Sequence, residues 1–169
     1  MSSVGLWFER KFDLSFPESL HPSICARLRG TPARLEELVR AHPREVLVRK
    51  LEGTWSMQEQ AGHLLDLESL WLARVDDYLS GAETLTVADL SNRKTTEANH
   101  NATPLDEILG DFRKSRAALL AKVNGLKPEF FSRAALHPRL KTPLRLVDHL
   151  YFVAEHDDHH LAKIWELGR

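Results

Sequence analysis

The sequence has one cysteine, no long apolar run and almost no net charge, and each shortage excludes a class of protein. Cys25 alone cannot form an intramolecular disulfide, which is typical of a reducing compartment. No apolar run approaches the ~20 residues that a membrane-spanning helix needs. The 23 Lys and Arg residues nearly balance the 24 Asp and Glu residues, so the basic surplus typical of nucleic-acid binding is missing. We therefore expect no membrane and no nucleic-acid partner.

The first residues also lack the features of a signal peptide. Charges at Glu9, Arg10, Lys11 and Asp13 interrupt the segment where an apolar stretch would be required. We therefore expect a cytoplasmic protein. With 169 residues, 43% hydrophobic and 28% charged, the chain has the size and composition of one globular domain. We expect a single domain over 1–169, in which residues 1–16 form an N-terminal arm.

Cap and proline signals predict an all-α protein with four main helices. Ser56 and Glu59 have the spacing of a capping box, and Thr103-Pro104 and Thr142-Pro143 are typical helix starts. Apolar residues then recur at helical spacing, and no strand-period alternation of any length is present. The prediction is a four-helix bundle with helices near 17–41, 56–80, 104–124 and 143–167.

Three polar or proline-containing segments are expected to interrupt these helices. Gly30, Thr31 and Pro32 predict a break in the first helix, with Thr31 as an N-cap and Pro32 as the first residue after it. Residues 82–103 are predicted to form a long polar loop, and loops of that length inside a domain are often functional. A second loop is predicted from Lys127 to Lys141.

The most unusual feature is the histidine content: nine residues, three of them between positions 156 and 160. His156 and His160 are four apart, so on a helix their rings share one face and can converge on one ion. Apolar residues on the same face direct the pair toward the bundle interior. His63, on the second helix, is the candidate third ligand, and three neutral imidazoles would leave an open coordination position.

The other histidines have simpler interpretations. An H-x-x-x-H pair alone is weak evidence, because histidines of a bundle can also merely pack. His159 is rotated away from the shared face and is expected beside the site or at the surface. His149 is interpreted as a core or pocket-wall residue. His100 and His137 lie in predicted loops from which they could reach a pocket, and two more are interpreted as ordinary helix-end residues: His21 and His42.

Two motifs in the correct order resemble the DinB-like superfamily. Residues 55–64, Trp-Ser-Met-Gln-Glu-Gln-Ala-Gly-His-Leu, followed by Glu68, resemble the second helix of that family. Residues 155–164, Glu-His-Asp-Asp-His-His-Leu-Ala-Lys-Ile, resemble its fourth helix. The resemblance extends to residues 29–35 and covers most of the chain. About ninety residues separate the two motifs, and together they are more specific than either alone.

The resemblance implies a fold, a metal and a class of activity. Family members are four-helix bundles that hold nickel, zinc or a similar ion through one histidine of the second helix and an H-x-x-x-H pair of the fourth. These positions match His63, His156 and His160. The superfamily includes thiol S-transferases that use bacillithiol or mycothiol, mycothiol-dependent isomerases and proteins described as metal-dependent hydrolases, and many members are homodimers. The resemblance therefore implies one divalent ion per chain, nickel or zinc, in a homodimer.

Three functional hypotheses stay open from the sequence. The first is a metal-dependent enzyme for detoxification or stress response, a hydrolase or an S-transferase that joins a small-molecule thiol to an electrophilic substrate. Asp66, Glu68 or Glu59 could act as its base, although each also fits a solvated or capping role. The second is a non-catalytic metal-binding stress-response protein. The third is an interaction module whose histidines only pack, without metal.

Overall fold

The computed structural model describes residues 4–51 and 53–169, and most of the described residues are helical. Single-turn 3₁₀ helices occur at Trp7–Glu9, Glu18–Leu20 and His100–Ala102, and a longer one at Pro128–Ser132. Two short strands and six α-helices complete the order: α1 (His21–Arg40), α2 (Arg44–Leu47), α3 (Met57–Ser80), α4 (Arg93–Glu97), α5 (Leu105–Asn124), β1 (Ala134–His137), β2 (Thr142–Arg145) and α6 (Leu146–Leu167).

The four long helices pack as the predicted four-helix bundle. Helix α1 packs on α5 and α6, and α3 packs on the same two helices. The helix start predicted at Ser56 is confirmed: its hydroxyl accepts from the Glu59 backbone N–H at 3.1 Å, and Glu59 accepts from the Ser56 backbone N–H at 2.8 Å. Gly81, in the left-handed region at φ 73°, ends this helix. Among the described residues, no helix combines the length and apolar character that crossing a membrane requires.

The break predicted at Gly30–Pro32 is wrong, because α1 continues through Pro32. A proline inside a helix leaves the carbonyl four residues earlier without its usual N–H donor. Here that carbonyl belongs to Leu28, and it accepts a hydrogen bond from Nη1 of the buried Arg116 at 3.1 Å. The hydroxyl of Thr31 donates to Asp157 on α6 at 2.8 Å instead of capping a helix. A side chain from another helix therefore replaces the donor that the proline removes.

The helix start predicted at Thr142-Pro143 is also wrong. Both residues lie in β2, which pairs antiparallel with β1, and Pro143 lies opposite Leu136. Helix α6 begins at Leu146, where Asp148 accepts from the backbone N–H of Arg145 at 2.8 Å. Four-residue strands are too short for an alternation signal in the sequence, and a proline is tolerated at a sheet edge. The hairpin thus occupies part of the loop predicted at 127–141.

Two apolar clusters fill the bundle, and a layer of buried polar side chains separates them. One cluster includes Leu28, Trp71, Leu119 and Val153, and the other includes Leu35, Leu64, Phe112 and Leu161. On each long helix at least one polar residue of this layer lies between the positions that contribute to the two clusters, and His63 lies beside Leu64 at the edge of the second cluster. This layer contains Thr31, His63, Glu68, Arg116, His156, Asp157 and His160.

Candidate metal centre

The structure brings together the three histidines that the sequence predicts as ligands. His63 projects from α3, and His156 and His160 project from successive turns of α6. One ring nitrogen of each lies within 4.8 Å of the other two. The ring centroids are 5.3 Å apart for His63 and His156, 4.6 Å for His63 and His160, and 4.4 Å for His156 and His160. All three residues are buried.

Neighbouring hydrogen bonds determine which nitrogen of His63 carries the proton. The Thr95 hydroxyl donates to Oδ2 of Asp66 at 2.8 Å, so its oxygen is left to accept. Nδ1 of His63 lies 2.9 Å from that oxygen and is therefore the protonated nitrogen. Nε2 then keeps its lone pair, as a metal ligand requires. The polar segment 82–103, predicted as a functional loop, supplies this contact through α4.

His160 is oriented in the same way by a residue of α3. Its Nδ1 lies 2.6 Å from Oε1 of Gln60, an acceptor, so the proton is on Nδ1 and the lone pair is on Nε2. That Nε2 lies 3.1 Å from Nε2 of His156. Nδ1 of His156 is buried and has no hydrogen-bond partner among the described residues. Nitrogens that converge in this way suit a cation, which accepts several lone pairs at once.

The surroundings keep the three rings neutral. Burial lowers the pKa of His63 to about 4, although Asp66 opposes the shift. Burial lowers the pKa values of His156 and His160 well below their usual range, and the neighbouring rings add to this effect. Neutral imidazole is the form that coordinates metal ions, so the triad is ready to bind near pH 7.

Of the remaining histidines, two lie near the triad. His159 is buried rather than at the surface: its ring lies 5.2 Å from that of His160 and 5.5 Å from that of Trp7. Burial lowers its pKa to about 4. His100 is also buried, and its Nε2 lies 2.8 Å from Asp66. Gly62 makes room for that ring, because a Cβ there would lie 2.2 Å from Cγ of His100.

The three acidic residues considered as bases have other partners. Glu59 completes the capping box and accepts from Lys50 at 2.9 Å. Glu68 pairs with the buried Arg116 at 2.6 Å. Asp66 accepts from Thr95 and thereby orients His63. None of the three lines the cavity beside the triad. In the structure, these three residues therefore cap a helix, pair with a buried arginine and orient His63, respectively.

A cavity of about 1070 Å³ lies against the triad. Tryptophan and phenylalanine rings form much of its wall, including Trp7, Trp55, Trp71 and Phe152. Arg74, His137 and Arg139 line it as well. Gln60, Thr95 and the two arginines are not among the site residues that the sequence predicts. Gln60 could have been suspected because it precedes His63 by one helical turn, whereas nothing in the sequence places Thr95 or the arginines here.

The comparisons with known proteins agree with this fold. A family model described as the DinB superfamily matches residues 27–164. Among solved structures, the chain is similar to YfiT from Bacillus subtilis, described as a probable metal-dependent hydrolase with an unusual four-helix bundle topology. The two are 22% identical, the match covers 94% of this chain and 91% of that one, and the TM-score is 0.80. At this identity the likeness concerns the fold. Comparison with curated proteins gives no match.

Proposed function

The chain belongs to the DinB superfamily, and we propose that His63, His156 and His160 hold one divalent metal ion in a small-molecule enzyme. The observation that carries the proposal is the convergence of three neutral imidazoles. Their ligand nitrogens lie within 4.8 Å of one another, and contacts with Thr95 and Gln60 place two of the protons on the outer nitrogens. Packed core histidines would have no need of this arrangement.

The donor set favours a reactive site over a closed structural one. No fourth histidine, cysteine or carboxylate of the described chain belongs to the cluster. Cys25 is buried in the apolar cluster around Leu28. Three protein ligands are typical of catalytic sites, where the bound ion supplies a Lewis acid that activates water or a thiol. Nickel or zinc remains the predicted ion, since imidazole ligands accept both.

The cavity supports a small-molecule substrate. Its volume suits a small molecule, and aromatic side chains form much of its wall. We propose hydrolysis, or transfer of a low-molecular-weight thiol to an electrophile. The description of YfiT as a probable metal-dependent hydrolase supports the first reaction. His159, which is neutral at pH 7 and lines the cavity beside His160, is a group that could accept a proton there.

Metal analysis of the untagged protein tests the proposal. Elemental analysis should find close to one nickel or zinc ion per chain. His63→Ala, His156→Ala and His160→Ala should each abolish or sharply weaken binding, because three donors are near the minimum for a stable site. His149→Ala is the buried control and should keep most of the binding, as should His159→Ala.

The outcomes separate the competing functions. Full metal occupancy in His63→Ala would remove α3 from the site. Absence of metal from the purified protein and after reconstitution would leave an interaction module with packed histidines. Bound metal without turnover, across panels of hydrolase substrates and of electrophiles with thiols, would favour a non-catalytic stress-response protein.

The homodimer also stays a prediction. A mass of 19.3 kDa, that of one chain, from sedimentation equilibrium at micromolar concentration would contradict it.

A further inference from the structure

Arg74 is a buried cation without a carboxylate partner. Its residue is 1% exposed, and among the described residues no carboxylate forms an ion pair with it; Asp77, one turn later on α3, acts on its charge only through space. It donates to the backbone carbonyl of Thr86 at 2.9 Å and to Nε2 of His137 at 3.1 Å, and neither is negatively charged. Burial lowers the pKa of Arg74 only to about 10, so it stays charged at pH 7. A buried charge without a counter-charge is costly unless an anion binds beside it.

The same region has more hydrogen-bond donors than acceptors. Nε2 of His137 faces Arg74, while Nδ1 faces the backbone N–H groups of Arg139 at 3.3 Å and Leu140 at 3.2 Å. Neutral imidazole carries one proton, so His137 cannot accept on both sides. Nη2 of Arg139 and the indole N–H of Trp71 are buried without any acceptor in the described chain. An acceptor with several lone pairs would satisfy this surplus.

These donors belong to the cavity that adjoins the histidine triad. Arg74, Arg139, His137 and Trp71 all line it. The Trp71 ring lies 5.5 Å from the ring of His156, and the guanidinium carbon of Arg74 lies 5.6 Å from the Trp71 ring. One aromatic ring therefore separates the charged region from the triad.

The carboxylates of the cavity do not supply the missing acceptor. Asp89 lines the cavity, but its oxygens accept from Ser91 and from the backbone N–H of Arg93. Glu166, the other acidic lining residue, is on α6 and has contacts of its own, including the nearby charge of Lys163. Within the described chain, the donors around Arg74 and Arg139 therefore outnumber the acceptors.

We propose that Arg74 and Arg139, with Trp71, bind a carboxylate of the substrate while its reacting group lies at the triad. A guanidinium binds a carboxylate through two parallel N–H···O bonds, which fixes orientation as well as position. The guanidinium carbon of Arg139 is 5.8 Å from the ring of Phe152, so an apolar segment next to the carboxylate would pack on this ring. The substrate class is a small carboxylic acid with an apolar or aromatic segment. Its position relative to the metal rests on the proposed function, whereas the anion site does not.

The test compares 2-naphthoate with its neutral counterpart, 2-naphthamide, by isothermal titration calorimetry. The unaltered protein should bind the carboxylate at least about 10-fold more tightly, as expected for a charge-assisted pair. Arg139→Met, and Arg139→Gln as a second variant, should bring the two affinities close together. Arg133→Met is the matched control, because Arg133 is exposed, contacts Phe130 and does not line the cavity.

A third arm separates this site from the metal. His160→Ala protein treated with EDTA has no complete metal site, and it should still prefer naphthoate. Equal affinities for the two probes, or an unchanged preference in both Arg139 variants, would overturn the proposal. Loss of the preference in stripped His160→Ala would also overturn it, because the carboxylate would then have been bound by the ion. A preference that persists in a protein never found to bind metal would contradict the proposed function alone.

Discussion

Two buried polar centres lie side by side in the bundle, and their hydrogen bonding differs. In the charged centre, Arg116 donates to Glu68 at 2.6 Å and to Asp157 at 2.6 Å. It also donates to the Leu28 carbonyl, and Asp157 accepts from Thr31. The carboxylates raise the pKa of Arg116 although burial opposes them. Every charged group in this centre therefore has a partner of opposite charge.

The histidine centre instead leaves atoms without partners. Lone pairs of His63 and His160 converge with the ring of His156, and a cavity adjoins the three rings. Within the described part of the chain, Nδ1 of His156 has no hydrogen-bond partner. His156 and Asp157 are adjacent in the sequence, and the helix rotates them by ~100° into the two centres. Burial alone therefore does not identify a site. The centre with all groups satisfied stabilises the fold, and the centre with unsatisfied groups can bind a ligand.

Removing the cation of the charged centre should have the largest effect on stability. Arg116→Met leaves Glu68 and Asp157 buried together without a counter-charge, and breaking a buried pair costs ~3–5 kcal/mol. Urea unfolding should show this loss. Arg113→Met is the matched control on the same helix: its pair with Glu36 is exposed and screened by solvent, so its loss should change the unfolding free energy far less. Equal losses in the two variants would contradict the distinction between the centres.

Removing one hydroxyl beside the histidine centre should weaken metal binding with little effect on the fold. Thr95→Val breaks the link from Asp66 to Nδ1 of His63, so the proton position and the ring orientation are no longer fixed. The metal Kd should rise by roughly 10–100-fold, measured by competition with a chromophoric chelator. Thr95→Ser keeps the hydroxyl and should keep the affinity. An unchanged Kd in the valine variant would show that Thr95 does not orient the ligand.

Replacing a histidine outside both centres should have the smallest effect. Both ring nitrogens of His149 are buried without hydrogen-bond partners among the residues that the structure describes. His149→Leu removes these unsatisfied groups, so the free energy of unfolding should stay the same or increase by up to about 1–3 kcal/mol, with metal content unchanged. His137→Leu, which removes the ring nitrogen that faces Arg74, should instead lower the free energy of unfolding, and urea unfolding measures both variants. Loss of metal in His149→Leu would contradict this expectation and show that His149 contributes to metal binding.

The bundle and the three converging histidines follow from local sequence patterns. The capping box at Ser56, the apolar spacing of the helices and the H-x-x-x-H pair each depend on residues within a turn or two of one another. Helical geometry alone brings His156 and His160 to one face. His63 was the candidate third ligand because of its place on the second helix, and the family resemblance supported that choice, since the sequence does not specify which helices are neighbours.

Other features depend on contacts between residues that are distant in the sequence, and only the tertiary structure decided them. Pro32 stays inside α1 because Arg116, 84 positions later, replaces its missing donor. Thr95, 32 positions from His63, fixes its proton. The hairpin brings Arg139 and His137 to the same cavity as Arg74. The periodicity of a helix is set by bonds between neighbours, so the sequence alone reveals it. The partner of a buried polar group is set by the packing of whole helices, and only the folded chain reveals it.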